Sequence, residues 1–444
     1  MKRIPMPSPV RPTRRQFLKA AGAAVALPYL VPSAALGADG RTPPGERITM
    51  GFIGIGGQGG GHLFGGAWTY IPGGYLARDD VQVLAVCDIR RDVRERGAQR
   101  VNEYYSKKSS SGSSYKACQG YNDFRELIAR GDIDAVLIAT PIHWHAIMTI
   151  MAAKAGKDIY CEKPSAMTIQ ESRATLEAVR RYGRVYQAGT QQRSEYGGKF
   201  RRACELVRSG RIGKLQTVYS YIEGGGPVWL RWFGPGKPVP DGYDWDLFLG
   251  PAPWSPFRDY GHAHLFGTGP INWGQHHFDI VQWGLGADDT GPVEVSQEKV
   301  RYSSGVEVIC GPYGDPTIGL GPGVRFPGEG GVVFVGAEGK IAVDRNVLLA
   351  NPPEILGKPL RPDDVHLDRP ASHSEDFLHC VRTRRRCICD IESSHRAASL
   401  MLLPDIARQV GRRLKWDPRN ERFIDDAEAN RLLSLPYRPP WRLG

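Results

Sequence analysis

Three groups of residues in this 444-residue chain have types and spacings suited to chemistry. The first is Gly54-Ile55-Gly56-Gly57-Gln58-Gly59, a G-x-G-x-x-G match that directly follows the apolar run Ile48–Ile53. Glycines at these positions permit a tight turn and close approach of a pyrophosphate, which then sits at the positive end of the following helix. Asp88 ends the next apolar run, Val81–Cys87, where a carboxylate can bond both hydroxyls of an adenosine ribose. It lies 29 residues past Gly59, against a usual spacing of about 20. The excess falls in "WTYIPGGYLARDD". An acid there repels a 2′-phosphate and favours NAD, whereas Arg90 and Arg91 leave NADP open. The bland alternative is a capping aspartate with no ligand.

The second group is Glu162-Lys163-Pro164, at the end of the strand-like "DIYC". Ligands of a doubly wound sheet bind at the carboxyl ends of its strands. A lysine held there, partly desolvated and facing a cationic nicotinamide, has its pKa lowered and can exchange a proton. Without the glycine loop it reads as a surface lysine capping a strand. The third group is "INWGQHHFDIVQW" at 271–283. On a helix Asn272, His276 and Asp279 share one face, since i, i+4 and i+7 coincide, and His277 points elsewhere. A histidine beside a lysine and an acid suits shuttling of a hydroxyl proton. A core histidine is the plain reading of His277. "HAH" at 262–264 raises a metal site, but no ligand frame such as H-E-x-x-H is present, so no metal is expected.

The elements that position these groups alternate. Strand-like and helix-like runs succeed one another up to about residue 213, predicting a parallel, doubly wound sheet of α/β class. Beyond it, "LQTVYSYIEGGG", "VEVSQEKVRY", "GVEVICG", "GVVFVGAEG" and "KIAVDRN" read as longer strands of a large, mainly antiparallel open sheet in a C-terminal α+β domain. Helical patterns follow at 373–383 and 392–414, then an extended "LPYRPPWRLG" tail. The expected division is a signal at 1–38, a linker at 39–46, a dinucleotide-binding Rossmann domain at 47–165 and a substrate and oligomerisation domain at 166–444. A Pro/Gly/Trp-rich insertion at 223–270 is too long for an idle connector. Its Trp229, Trp232, Trp254 and Tyr260 suit either sugar stacking or core packing.

The formal charge of +11 is not a nucleic-acid signal. Lys2, Arg3, Arg11, Arg14, Arg15 and Lys19 supply much of it, and residues 1–38 contain no acid. The run "RTRRRC" at 382–387 reads as a solvated helix end. Thr13-Arg14-Arg15-Gln16-Phe17-Leu18-Lys19 matches the twin-arginine export pattern, with a modestly apolar stretch and small residues after it. Pro28 and Pro32 interrupt that stretch, so a stable membrane span is not expected. The eight cysteines show no C-x-x-C and suggest buried thiols.

"GFIGIGGQGG", "AVCD", "DAVLIATPIHWHA", "CEKP" and "NWGQHHFD" fall in the order and spacing of the glucose–fructose oxidoreductase / inositol dehydrogenase / MocA family, which the chain resembles over nearly all its length after the signal. "HSEDFLHCVRTRRRC", "HRAASL" and "EANRLLSLPYRPPW" resemble its secreted twin-arginine branch. The resemblance implies a Rossmann domain plus an open sheet through which chains pair into homo-oligomers. It makes Lys163 and His276 catalytic, with Asn272 beside them, and places Thr140, Pro141, His143 and His145 beside the nicotinamide ribose, with Glu162 counted among the cofactor residues. Gln191, Gln192 and Arg193, with Asp279 and His277, line the substrate side. Many dehydrogenases of the family carry aspartate where this chain has Asn272, which cannot accept a proton. That shifts proton transfer onto Lys163 and His276.

The expected function is therefore an NAD(P)-dependent oxidoreductase acting on a sugar, polyol or glycoside, periplasmic or secreted, with tightly held NAD. The alternative is a redox-neutral glycoside hydrolase that uses the same cofactor through transient oxidation and elimination, as N-acetylgalactosaminidases of the family do. A sugar-binding protein with a degenerate nucleotide fold is the non-enzyme reading.

Overall fold

The computed structural model describes residues 43–66, 69–108, 116–222, 235–258, 269–310 and 330–443. The signal, Trp229, Trp232, Tyr260 and the "HAH" triplet lie outside them. The first half alternates β1 (Ile48–Ile53), α1 (Gln58–Phe64), β2 (Val81–Cys87), α2 (Arg91–Lys108), β3 (Gln119–Tyr121), α3 (Phe124–Ile128), β4 (Ala135–Ile138), α4 (His145–Lys154), β5 (Asp158–Cys161), α5 (Ile169–Arg181) and β6 (Tyr186–Ala188). The six strands pair in parallel in the order β3-β2-β1-β4-β5-β6. Helices cover both faces, so β4, β5 and β6 are buried throughout, which explains their unbroken apolar character. The strand order reverses between β1 and β4, opening a crevice at their carboxyl ends. Sheet pairing continues past the turn at Pro164 to β6, so the Rossmann sheet extends beyond the boundary at 165 that the sequence suggested.

The second half comprises α6 (Lys199–Arg208), β7 (Leu215–Ile222), α7 (Trp245–Leu249), α8 (Gly269–Leu285), β8 (Glu294–Val295), β9 (Lys299–Arg301), β10 (Glu307–Cys310), β11 (Gly330–Gly336), β12 (Lys340–Val343), β13 (Leu348–Asn351), α9 (His373–Thr383), α10 (Ile391–Val410), β14 (Leu414–Asp417) and β15 (Arg422–Phe423). The nine strands run in the order β13-β12-β11-β7-β10-β9-β8-β14-β15. Among the described strands of this sheet, only β7 and β10 pair in parallel. One face packs Val218, Val308, Val332 and Phe334 against Phe278 and Val281 of α8 and Leu403 and Ile406 of α10. The helix expected over 392–414 stops at Val410, because Gly411 takes a left-handed conformation and donates its N–H to the Ala407 carbonyl.

All eight cysteines are free and seven are buried. Three of the four "RTRRRC" arginines pair with acids: Arg382 with Asp80 (2.7 Å), Arg384 with Asp158 (2.5 Å) and Arg386 with Asp390 (2.5 Å). Among the described residues, no helix is long and apolar enough to cross a membrane.

Candidate active site

The glycine loop leaves β1 and enters α1 at the crevice. Gly54 has φ +82°, and a Cβ built on it would lie 2.6 Å from the Ala139 carbonyl of the β4 end. On Gly59 a Cβ would come within 2.1 Å of the Gly54 carbonyl, so α1 packs on the turn only without a side chain there. Gly57 faces open space. Asp88 closes the far rim. Its Oδ2 accepts the Ile55 N–H and its Oδ1 the Arg90 N–H, both at 3.0 Å. Burial raises its pKa, and those backbone N–H groups partly offset the rise. Gly54, Gly56, Gly57, Asp88, Thr140 and Pro141 border one cavity of about 420 Å³. An open glycine cradle with a fixed carboxylate at its rim fits a dinucleotide. Gln58, half-buried, starts α1. The arginines that left NADP open are both engaged: Arg90 with Asp92 (3.0 Å) and Arg91 with Asp241 (3.5 Å).

The second half of the chain completes this cavity. Tyr243, Leu247 and Phe248 line it. Residues 241–250 lie along the β2 end, with Arg91 donating its N–H to the Gly242 carbonyl (2.8 Å) and Asp244 donating to the Ile89 carbonyl (3.1 Å). Asn122 donates to Asp244 Oδ2 (2.7 Å), and the other oxygen of Asp244 caps α7 through the Leu247 N–H.

At the β5 end, Lys163 is half-buried and precedes a cis peptide bond to Pro164. The next residue, Ser165, is tied to α8: Gln275 Oε1 accepts the Ser165 N–H at 2.7 Å. Gln275 Nε2 donates to Ser165 Oγ and Ser394 Oγ, both at 3.1 Å. That side chain brings α8 onto the turn and His276 into the field of Lys163. Burial drives the His276 pKa well below the ordinary imidazole value, and the Lys163 charge lowers it further. His276 is therefore held as a neutral ring within the electrostatic reach of Lys163. His145 braces the same corner, lying between the Pro164 carbonyl (2.6 Å from Nδ1) and the Thr140 carbonyl (2.7 Å from Nε2). Burial lowers its pKa, while both carbonyls favour the protonated ring.

Several expected site residues have other work. Glu162 is 4% exposed and directed inward: it accepts from His62 Nε2 (2.8 Å) and Gln191 Nε2 (3.1 Å). Burial acts to raise its pKa, but the His62 hydrogen bond and the Lys163 charge hold it below normal. These bonds fix the turn that carries Lys163. The His143 Nε2 donates to the Phe248 carbonyl at 2.7 Å. Arg193 and Asp279, expected to line the substrate side, form a buried two-bond pair (2.7 and 2.9 Å), with Asp288 as a second partner of Arg193 at 2.8 Å. Burial pushes the Asp279 pKa up to about 6 despite Arg193. Asp279 therefore leaves the active face that the i, i+7 spacing assigned to it. His277 is buried as a core residue, its pKa lowered to about 3 by burial.

Gln192 donates to the His276 carbonyl at 3.3 Å, and its Oε1 has no partner among the described residues. Asn272 lies on α8, with its side chain outside the described residues. Trp254 is 69% exposed and lies on the surface. Sequence reasoning missed His62, Gln275 and Asn122. For Gln275 a signal existed, since it directly precedes His276.

The chain matches two family models: one described as "Oxidoreductase family, NAD-binding Rossmann fold" over residues 48–190, the other as "Oxidoreductase family, C-terminal alpha/beta domain" over 201–308 and 336–443. Both carry the glucose–fructose oxidoreductase / inositol dehydrogenase / MocA name. Among curated proteins, it is 29% identical over 220 residues to an alpha-N-acetylgalactosaminidase of Shewanella oneidensis, and likewise to a glycosyl hydrolase family 109 protein of Shewanella sp. strain ANA-3. These matches span 46% of this chain and 44% of each relative. Among solved structures, the fold resembles a WlbA dehydrogenase of Bordetella pertussis in complex with NADH and UDP-GlcNAcA (TM-score 0.54, 15% identity, 84% of this chain and 98% of that one). It also resembles an aldose-aldose oxidoreductase of Caulobacter crescentus complexed with glycerol (TM-score 0.53, 17% identity, 83% and 99%).

Proposed function

Because the chain belongs to the glucose–fructose oxidoreductase / inositol dehydrogenase / MocA family, we propose that it is an NAD-dependent enzyme acting at a carbinol carbon of a sugar, polyol or glycoside. The observation that carries this reading is the glycine cradle that borders one cavity with Asp88, in the same sheet whose strand β5 ends at the Lys163 turn tied to α8 by Gln275. NAD, when bound, supplies hydride acceptance and return. Gly54, Gly56, Gly57 and Asp88 would hold it. Lys163 takes the hydroxyl proton, and the neutral His276 ring relays it. Thr140 and Pro141 wall the pocket, while His145 and Gln275 keep the turn that carries Lys163 in place. Gln192 Oε1, buried and without a partner among the described residues, supplies an acceptor for a substrate hydroxyl.

A redox-neutral glycosidase is the second reading, favoured by the alpha-N-acetylgalactosaminidase likeness. It asks the same base to remove a carbon-bound proton next to the oxidised centre before the aglycone leaves. The proposal includes export by the twin-arginine route, read from Thr13–Lys19, and pairing of chains through the large sheet. The test is to denature the purified protein, identify the nucleotide released, and then screen glycosides. NADH accumulating with product marks the first reading. Free sugar with unchanged cofactor marks the second. No bound or bindable dinucleotide overturns both.

A further inference from the structure

The cofactor cavity is not an open groove at its Asp88 end. Residues 241–250 lie against it as a strap, and the strap is latched from two sides. On the Rossmann side, the Phe248 carbonyl accepts from His143 Nε2 (2.7 Å) and from Trp144 Nε1 (3.2 Å), and Trp144 also donates to the Leu247 carbonyl (3.0 Å). Asn122 holds Asp244. The contact is close enough that a Cβ on Gly250, at φ +49°, would lie 2.0 Å from the Trp144 ring.

On the outer side, the extended C-terminal tail turns back onto the strap. Arg438 donates from Nε to the Gly250 carbonyl (2.9 Å), from Nη1 to Asp246 Oδ1 (2.6 Å) and from Nη2 to the Asp246 carbonyl (2.9 Å). Its own N–H donates to the Pro251 carbonyl at 2.9 Å. Three residues on, Trp441 meets Trp144 edge-on, with ring centroids 4.6 Å apart. The tail therefore grips both the strap and the residue on which the strap rests.

From this geometry we infer that the strap, held down by Arg438, encloses the adenosine end of a bound dinucleotide and makes the cofactor a retained group rather than an exchanging co-substrate. The inference rests on the dinucleotide reading of the site. A nucleotide seated between Asp88 and Phe248 leaves through that end only after the bonds to Asn122, His143 and Trp144 open together, and Arg438 multiplies their cost by holding α7 from outside. Loss of the Arg438 set is expected to make release about tenfold faster, the scale of one or two such hydrogen bonds.

The experiment loads the full-length mature protein with NADH and follows its fluorescence during a chase with excess unlabelled NAD. Wild type is expected to release over minutes or longer, and Arg438→Ala and Asp244→Ala about tenfold faster, each with an unfolding transition as cooperative as that of wild type. Asp246→Ala removes the Arg438 ion pair at an exposed position and keeps the test open if Arg438→Ala misfolds; its expected effect is several-fold. Sub-second release from wild type overturns the inference. So do equal rates in folded variants and wild type. A protein that binds NADH but releases it at those equal rates loses only the strap, whereas one that binds no dinucleotide loses the proposed function as well.

Discussion

Gln275 reaches from α8 to the backbone of Ser165, two residues past Lys163, and its Oε1 takes the Ser165 N–H at 2.7 Å while its amide nitrogen holds Ser394. A fully buried carboxamide thus joins the lysine turn, the histidine helix and α10. Gln275→Ala leaves the Ser165 N–H without its acceptor. The expected stability loss is about 1–3 kcal/mol, read as a shift in the urea midpoint. Lys163 then loses register with His276, so kcat falls with nucleotide binding unchanged. Gln275→Glu keeps the acceptor but not the donor to Ser394, and recovers part of kcat.

Asp88 is expected to favour NAD, because its carboxylate repels a 2′-phosphate and the two following arginines are paired with acids. Arg90 and Arg91 face Asp92 and Asp241. Asp88→Ser removes the repulsion and the ribose acceptor together. Binding titrations with NADH and NADPH are expected to shift in ratio by about tenfold toward NADPH, the equivalent of about 1.4 kcal/mol. An unchanged ratio removes Asp88 from the ribose site.

The glycine loop, Asp88 and the lysine turn were legible because each is a local pattern set at a strand end. What stayed hidden was tertiary. Asp279 shares a helix face with His276 by spacing, yet helix α8 is buried around its circumference, and the complementary charge on Arg193 claims that carboxylate. Glu162 looked available beside Lys163, but its carboxylate turns into the core past the end of β5, where His62 and Gln191 hold it. The strap was unreadable because the contacts that fix Gly242, Asp244 and Gly250 against the Rossmann half come from Arg91, Ile89, Asn122 and Trp144, more than 100 residues away. Strand β3 escaped because Gln-Gly-Tyr carries no apolar period at an exposed edge.

Arg193 and Asp279 separate a structural from a substrate role. Both are buried and bonded to each other. Arg193→Ala strands the Asp279 carboxylate without its bidentate partner, at an expected cost of about 3–5 kcal/mol. The protein should lose yield and thermal stability in proportion. A substrate-binding arginine would instead raise KM in a normally stable protein, so parallel measurement of KM and melting temperature decides between them.

Acid should destabilise this protein through its neutral histidines. Burial lowers the pKa of His143 and His277 to about 3 and of His373 to about 4, and drives His276 well below the ordinary value. Each binds its proton in the unfolded chain near pH 6.5 but not in the native one. The unfolded state therefore holds more protons below that pH, and stability falls as pH falls. Each such ring contributes a slope of about 1.4 kcal/mol per pH unit, beginning near 6.5 and ending at its own folded pKa. Chemical denaturation at pH 7.5, 6.5, 5.5 and 4.5 should show a flat upper range and a steep lower one. His277→Gln removes one ring that no proton-transfer step uses, so it should flatten the lower limb while leaving the pH dependence of kcat in place. His276→Gln should flatten the same limb and abolish turnover. If both variants keep the wild-type slope, the native rings are not held neutral, and the relay assigned to His276 loses its basis.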